Sequence, residues 1–298
     1  MSEAQRRKVD AKVQAVFSSW TPETSLEQIR REWDALFSDY VPAVKCTATP
    51  VSANGVQAEW IVAPGARAGR TILYLHGGGY VLGSITSHRD IIERLSHAAR
   101  ARVLALDYRL APEHPFPAPV EDALAAYRWL LDQGVAPSSL AISGDSAGGG
   151  LALATMLALK TARTPLPACA ALMSPWVDME VLGESMTTKD AVDPMVHRPM
   201  VETMVQLFLG NGDRRNPLAN PLYGDFTELP PMIVHSGTRE TLLDDAVRVV
   251  DKARKAGVDV DYKIWEDQMH VFHIFAARLD EGADAIRELG AFIERHLR

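Results

Sequence analysis

Leu140-Ala141-Ile142-Ser143-Gly144-Asp145-Ser146-Ala147-Gly148-Gly149-Gly150-Leu151-Ala152-Leu153-Ala154 is the stretch that decides the fold. Its opening residues read as a buried strand, and the run from Ala147 onward reads as a helix. Between them lies Gly144-Asp145-Ser146-Ala147-Gly148, a G-x-S-x-G pattern. A serine held on so sharp a turn sits close to neighbouring backbone, and the flanking glycines remove Cβ atoms that would collide with it. The helix that follows aims its N-terminal N–H groups and partial positive charge at the serine, where they favour a developing oxyanion. The pentapeptide alone is a weak signal; its place between a strand and a helix gives it weight. The competing reading is a glycine-rich turn with no chemistry.

Outward from this turn, short apolar runs alternate with helical patterns. Strands are expected at Gln57 to Val62, Thr71 to Leu75, Arg102 to Leu106, Leu140 to Ser143, Ala168 to Met173, Met232 to His235 and Val258 to Ile264. Helical periodicity falls near 87–100, 119–133, 147–161 and 243–256, the last carrying Leu243, Ala246, Val250 and Ala253 on one face. Such alternation specifies an α/β fold with a mostly parallel central sheet flanked by helices. Ahead of it, residues 8–20 and 25–37 read as amphipathic helices. Leu26, Ile29, Trp33, Leu36 and Phe37 share a face, and Ser25 with Gln28 forms a capping box. Residues 178–225 interrupt the alternation with loops and a helix at 198–210. We expect one domain over 1–298, with about 1–45 and about 178–225 forming a helical cap above the strand ends. Ordinary connecting helices and loops are the alternative.

Composition narrows the function. The chain has 298 residues, 31 Lys+Arg and 38 Asp+Glu, for a net charge of −7, which argues against a nucleic-acid partner. At 47% hydrophobic and 23% charged residues it has a globular profile, without repeats or low-complexity tracts. Cys46 and Cys169 make neither a disulfide framework nor a zinc site, so no metal or cofactor is expected. The charged start MSEAQRRKVD lacks the apolar core of a secretory signal, and the run Leu151 to Leu159 is about half a membrane span. A cytoplasmic protein with no membrane span is expected; a homodimer is compatible with this, though nothing in the sequence selects it.

The second motif is His76-Gly77-Gly78-Gly79-Tyr80, directly after an apolar strand. Glycine loses the most backbone entropy on folding, so a run of three implies a need for bare backbone. N–H donors from this loop, together with that of Ala147, can converge on the oxygen of a tetrahedral intermediate. A plain turn is the alternative; with no Lys-Ser or Lys-Thr following, a phosphate-binding P-loop is excluded.

A serine hydroxyl needs a base, usually an imidazole oriented by a carboxylate, and after this type of turn the acid precedes the histidine in the chain. His270, in the loop beyond the last strand, is the expected base. His273 is the near competitor, His235 reads as a core histidine, and His197 lies in the expected cap. Glu240 is the expected acid because it stands nearest the end of the preceding strand. Asp244 and Asp245 read as charges complementing a helix N-terminus, but Asp244 remains in play.

These residues resemble the hormone-sensitive-lipase-like carboxylesterases of the α/β-hydrolase fold. The resemblance runs from about residue 70 onward, through His76-Gly77-Gly78-Gly79-Tyr80, Asp107-Tyr108-Arg109-Leu110-Ala111-Pro112-Glu113, Gly144-Asp145-Ser146-Ala147-Gly148, Ser174-Pro175-Trp176-Val177-Asp178 and Met269-His270-Val271-Phe272. It implies Ser146 as nucleophile, His270 as base, Gly78, Gly79 and Ala147 as the oxyanion hole, and an N-terminal cap. Where the family often has Asp-Pro-Leu this chain has Glu240-Thr241-Leu242, which places Glu240 at the acid position, and Gly150 replaces a common Asn. Tyr108, Arg109, Pro112 and Glu113 resemble a structural loop in which Arg109 and Glu113 would pair. The implied activity is hydrolysis of short- to medium-chain acyl esters through an acyl-enzyme, the partner being a small acyl ester. An acyltransferase or amidase at the same site, and a silent ligand receptor of the same fold, are the alternatives.

Overall fold

An eight-stranded sheet runs through the computed structural model, which describes residues 2–21 and 23–298. In chain order its strands are β1 (Thr47–Ala53), β2 (Val56–Val62), β3 (Arg67–Leu75), β4 (Ala101–Leu106), β5 (Leu140–Asp145), β6 (Cys169–Met173), β7 (Met232–Gly237) and β8 (Val260–Trp265). Their spatial order is β1-β2-β4-β3-β5-β6-β7-β8. From β4 to β8 all neighbours are parallel, whereas β2 joins β4, and β1 joins β2, in antiparallel register. Every residue of β5, β6 and β7 is buried, which is why these strands read as continuous apolar runs instead of alternating ones.

Helices cover both faces. The pair α3 (Arg89–Ala99) and α9 (Asp280–His296) packs on one; α4 (Ala118–Asp132), α5 (Ala147–Thr161) and α8 (Leu243–Lys255) pack on the other. Nearly the whole of α5 is buried, so its sequence is apolar all round. Among the elements of the sheet and its flanking helices, β1 and α9 fall outside the expectations above. β1 is mostly exposed, with Pro50 in it, and as the sheet's outer edge it needs no apolar face. α9 carries a buried stripe of Ala285, Ile286, Leu289, Phe292 and Ile293 beyond the last expected strand.

Before the sheet come α1 (Ser2–Phe17) and α2 (Leu26–Ser38). The Ser25 hydroxyl accepts the N–H of Gln28 at 3.2 Å, but the Gln28 amide turns to Glu32, so half of the expected capping box forms. Trp33, Leu36 and Phe37 of α2 are buried, and Phe37 meets Phe275 with ring centroids 5.5 Å apart. Arg30 fastens the polar side, donating to the carbonyls of Val81 and Ala111 and in bidentate fashion to Glu113 at 2.7 and 2.8 Å. The Arg109–Glu113 pair expected from the sequence is therefore not formed. Helix α2 lies over that loop and supplies the partner of Glu113, while Arg109 reaches Asp122 of α4 at 2.7 Å. Between β6 and β7 the chain makes α6 (Ser185–Thr188) and α7 (Arg198–Leu209).

Candidate active site

The loops that follow β3, β5, β6, β7 and β8 all leave the same edge of the parallel sheet, the carboxyl edge, where α/β sites form. His76 to Gly79 follow β3, Ser146 follows β5, Ser174 follows β6, Glu240 follows β7 and His270 follows β8. Ser146 has φ 50° and ψ −120°, a conformation that L-residues rarely adopt. It is held there from both sides. Its N–H donates to Met173 O at 2.8 Å, and its carbonyl accepts from Gly150 and Trp176. The turn can be this tight because a Cβ on Gly148 would lie 2.0 Å from Leu75 O, a clash that only glycine avoids.

Ser146, His270 and Glu240 form one chain of hydrogen bonds. His270 Nε2 lies 2.8 Å from Ser146 Oγ, and His270 Nδ1 lies 2.7 Å from Glu240 Oε2. With a carboxylate against Nδ1, that nitrogen carries the proton, leaving Nε2 to accept from the serine. Glu240 is fully buried, and its Oε1 accepts from the Gly237 N–H and, at 3.1 Å, from the Ser174 hydroxyl. Ser174 also accepts the N–H of Val271, so one hydroxyl ties the acid to the histidine's own loop. Its sequence signal was the Ser174-Pro175-Trp176 motif, which carries no hint of this role. The other candidates are spent elsewhere. Asp244 accepts from Ser185 N and Asp245 from Val177 N and Asp178 N. His273 and His235 face each other in the core at 3.4 Å, and His197 meets Asp190 at the surface.

The glycine loop faces the serine. Gly78 and Gly79 have φ of 109° and 64°. Among the described residues no protein oxygen accepts the N–H of Gly78, Gly79 or Ala147. Asp145, inside the serine motif, braces this loop: its Oδ1 accepts from Gly77 N at 3.1 Å and from the Tyr74 hydroxyl at 2.6 Å. Its Oδ2 faces His88 Nε2 at 3.2 Å, and His88 is a buried partner that the sequence reading missed. On the far side, Tyr108 stacks on His76 at 4.3 Å and donates to its carbonyl. Burial, with His88 nearby, pushes the His76 imidazole down to about 3, so it stays neutral.

The sequence profile of the alpha/beta hydrolase fold family matches residues 72–274. An acetyl-hydrolase of Streptomyces hygroscopicus is 47% identical over 243 residues, covering 82% of this chain and 81% of its own length. An esterase of Acinetobacter venetianus is 34% identical over 244 residues, covering 82% and 80%. The solved structure of an esterase from the bacterial hormone-sensitive lipase family is 45% identical, covers 99% of each chain and has a TM-score of 0.96. The chain belongs to the hormone-sensitive-lipase-like esterases.

The esterase's cleft opens directly over Ser146. Trp33 and Phe37 of α2 line it, as do Trp176, Met195, Val196, Leu242, Val271 and Ile274, and Met200, Val201 and Met204 of α7. About 550 Å³ of atom-free space lies within it, open solvent at its mouth included. Apart from His88, Asp145, Ser146 and His270, the lining side chains are apolar, so the walls favour an apolar ligand. Among the described residues no group of histidine, cysteine and acidic side chains is placed to hold a metal ion, and no helix is long and apolar enough to cross a membrane.

Electrostatics separate the carboxylates. Burial would push His270 down, but the Glu240 hydrogen bond and charge, with Asp193 and Asp145 beyond, leave it raised above the usual imidazole value. For Asp145, burial pushes up, yet the charge and hydrogen bonding of His88, with the Tyr74 hydroxyl, hold the carboxyl below its usual range. Truncating Asp145→Ala strips Gly77 of its acceptor, and the loop shift is expected to lower the esterase's kcat by about 10²-fold. Steady-state rates normalised to the serine titrated by a reactive phosphonate would check this. Asp245 takes the opposite course: burial, with Asp178 adding to it, pushes its carboxyl up to about 7. A raised carboxyl contributes stability that is full below the unfolded value of about 3.9 and is lost as pH rises through about 7. Asp245→Asn keeps an oxygen for the two N–H donors. It is expected to reduce the fall in melting temperature between pH 6 and pH 8, read by calorimetry.

Proposed function

We propose that this esterase hydrolyses short- to medium-chain, uncharged acyl esters by two-step acyl transfer, with Ser146 as nucleophile, His270 as general base and acid, and Glu240 as the orienting carboxylate. The observation that carries the reading is the position of His270, whose two ring nitrogens lie within hydrogen-bond reach of Ser146 Oγ and a buried carboxylate at once.

In the first step His270 Nε2 takes the Oγ proton as Oγ attacks the ester carbonyl. The carbonyl oxygen becomes an oxyanion, met by the N–H groups of Gly78, Gly79 and Ala147, which have no other protein acceptor among the described residues. Glu240 stabilises the imidazolium that forms. Collapse breaks the acyl–alkoxy bond, and His270 gives its proton to the leaving alcohol. Water, deprotonated by His270, then attacks the acyl-enzyme; the carboxylic acid leaves and Oγ regains its proton. The helices within 1–45 and the insertion at 178–225 act as the cap, since both contribute cleft walls. The acetyl-hydrolase name of one relative supports the short end of the acyl range. Unpaired Cys46 and Cys169 support a cytoplasmic, reducing compartment.

A panel of p-nitrophenyl esters of increasing acyl length, run beside Ser146→Ala, tests the proposal. Release that depends on Ser146 and declines for long acyl chains is expected. Release that survives the substitution overturns it; preferential transfer of the acyl group to added alcohols or amines would make the protein an acyltransferase.

A further inference from the structure

The sulfur atoms of this chain are distributed unevenly with respect to the cleft. Both cysteines are poor nucleophiles: burial pushes the Cys46 thiol up to about 11 and that of Cys169 up to about 12, so little thiolate exists at neutral pH. Among the described residues every methionine is buried except Met200 and Met204, and both line the cleft from α7, four residues apart and so on one face of the helix. Met204 stands closer to the chemistry. A Cβ built on Gly79 would fall 2.0 Å from Met204 Sδ, so the thioether rests on the bare face of that glycine, beside an N–H that awaits the oxyanion. Among the described residues, the two accessible thioethers therefore sit in the wall of the proposed reaction site.

We propose that Met204 is an oxidative modification site through which peroxide silences the esterase, by placing a sulfoxide oxygen against the Gly78–Gly79 donors. The reaction is a two-electron oxygen transfer from a hydroperoxide. The sulfur lone pair attacks the distal peroxide oxygen, the O–O bond breaks, an S–O bond forms, and hydrogen peroxide leaves as water. The product oxygen is a strong, partly negative acceptor on a flexible side chain. It competes for the same N–H groups that the tetrahedral intermediate needs, and its polarity disfavours an apolar substrate next to it. Met200, one helical turn away, is not among the nearest neighbours of a Cβ built on Gly77, Gly78 or Gly79, and its oxidation is expected to affect the apolar wall alone. The prediction follows that loss of activity tracks oxidation of one methionine and appears in kcat more than in KM.

This inference rests on the proposed acyl-transfer site, and the test separates the two. Wild type, Met204→Leu and Met200→Leu are treated with millimolar hydrogen peroxide, and each is compared with its own untreated rate. Serine labelling by a phosphonate and peptide mass are followed in parallel. Wild type and Met200→Leu are expected to lose about tenfold or more in kcat as 16 Da appears on the Met204 peptide. Met204→Leu is expected to keep most of its own starting rate. Methionine sulfoxide reductase, and not a dithiol, is expected to restore the wild type. Equal inactivation of Met204→Leu, or oxidation of the Met204 peptide with no loss of rate, overturns the inference. Untreated protein that neither reacts with the phosphonate nor cleaves esters overturns the acyl-transfer reading instead.

Discussion

Replacement of Ser146 by alanine is expected to bring ester turnover down by about 10⁴–10⁶-fold, to near the uncatalysed rate plus what the oxyanion donors give alone. The size of the loss follows from the geometry. In the proposed mechanism Oγ forms the covalent bond, and among the described residues it is the hydroxyl that His270 Nε2 meets, at 2.8 Å. Alanine at this position changes little else. It keeps the N–H that donates to Met173 O and the carbonyl that accepts from Gly150 and Trp176, so the strained turn keeps its supports. Melting temperature and binding of a non-hydrolysable ester analogue should stay close to the wild-type values. A variant that retains more than about one part in 10³ of kcat would mean that another nucleophile, such as a water activated directly by His270, carries the reaction.

The strength of the sequence signals followed the physics of each element. Strands buried on both faces, β5, β6 and β7, announce themselves as apolar runs, and the strand-to-helix turn needs glycines that stand out in any sequence. β1 is different. Its exposed residues pair through backbone alone, so no side-chain pattern marks it. The site divides in the same way. The roles proposed for Ser146, His270 and the glycine loop restrict residue type, so these positions stand out by type and order, and the fold brings Ser146 and His270 within hydrogen-bond reach. Ser174, His88 and Asp193 act by hydrogen bonds across the fold: Asp193 accepts from Met195, Val196 and Thr241, tying the insertion to the loop of the acid. Nothing local to a serine, a histidine or an aspartate reveals such a partner. The Arg109–Glu113 expectation failed for the same reason, since the cation that Glu113 meets comes from a helix 83 positions earlier in the chain.

The choice between acids makes the second large prediction. Glu240→Gln is expected to lower kcat by about 10³–10⁴-fold, whereas Asp244→Asn should leave it within about twofold of wild type. Glutamine is close to isosteric with glutamate, and its oxygen can still accept from Gly237 N and Ser174 Oγ, so the loop should hold. Its amide then points N–H at His270 Nδ1, which must give up its own proton to accept it. That single proton is then carried on Nε2, and the imidazole can no longer receive the serine's. The charge that steadied the imidazolium is lost as well. Asp244 has no path to this outcome, because its carboxylate serves Ser185 N at 2.8 Å, a role that an asparagine oxygen can fill. The pH profile gives an independent readout. The base must be neutral to act, so kcat/KM rises with pH through the His270 value, which Glu240 holds above the usual imidazole range. Without that carboxylate, burial is left to act and the acid limb should move to lower pH. Glu240→Asp restores charge but shortens the side chain by one methylene. A profile near wild type combined with a reduced plateau would assign the pH limb to charge and the rate to reach. If Asp244→Asn loses more activity than Glu240→Gln, the orienting role passes to Asp244.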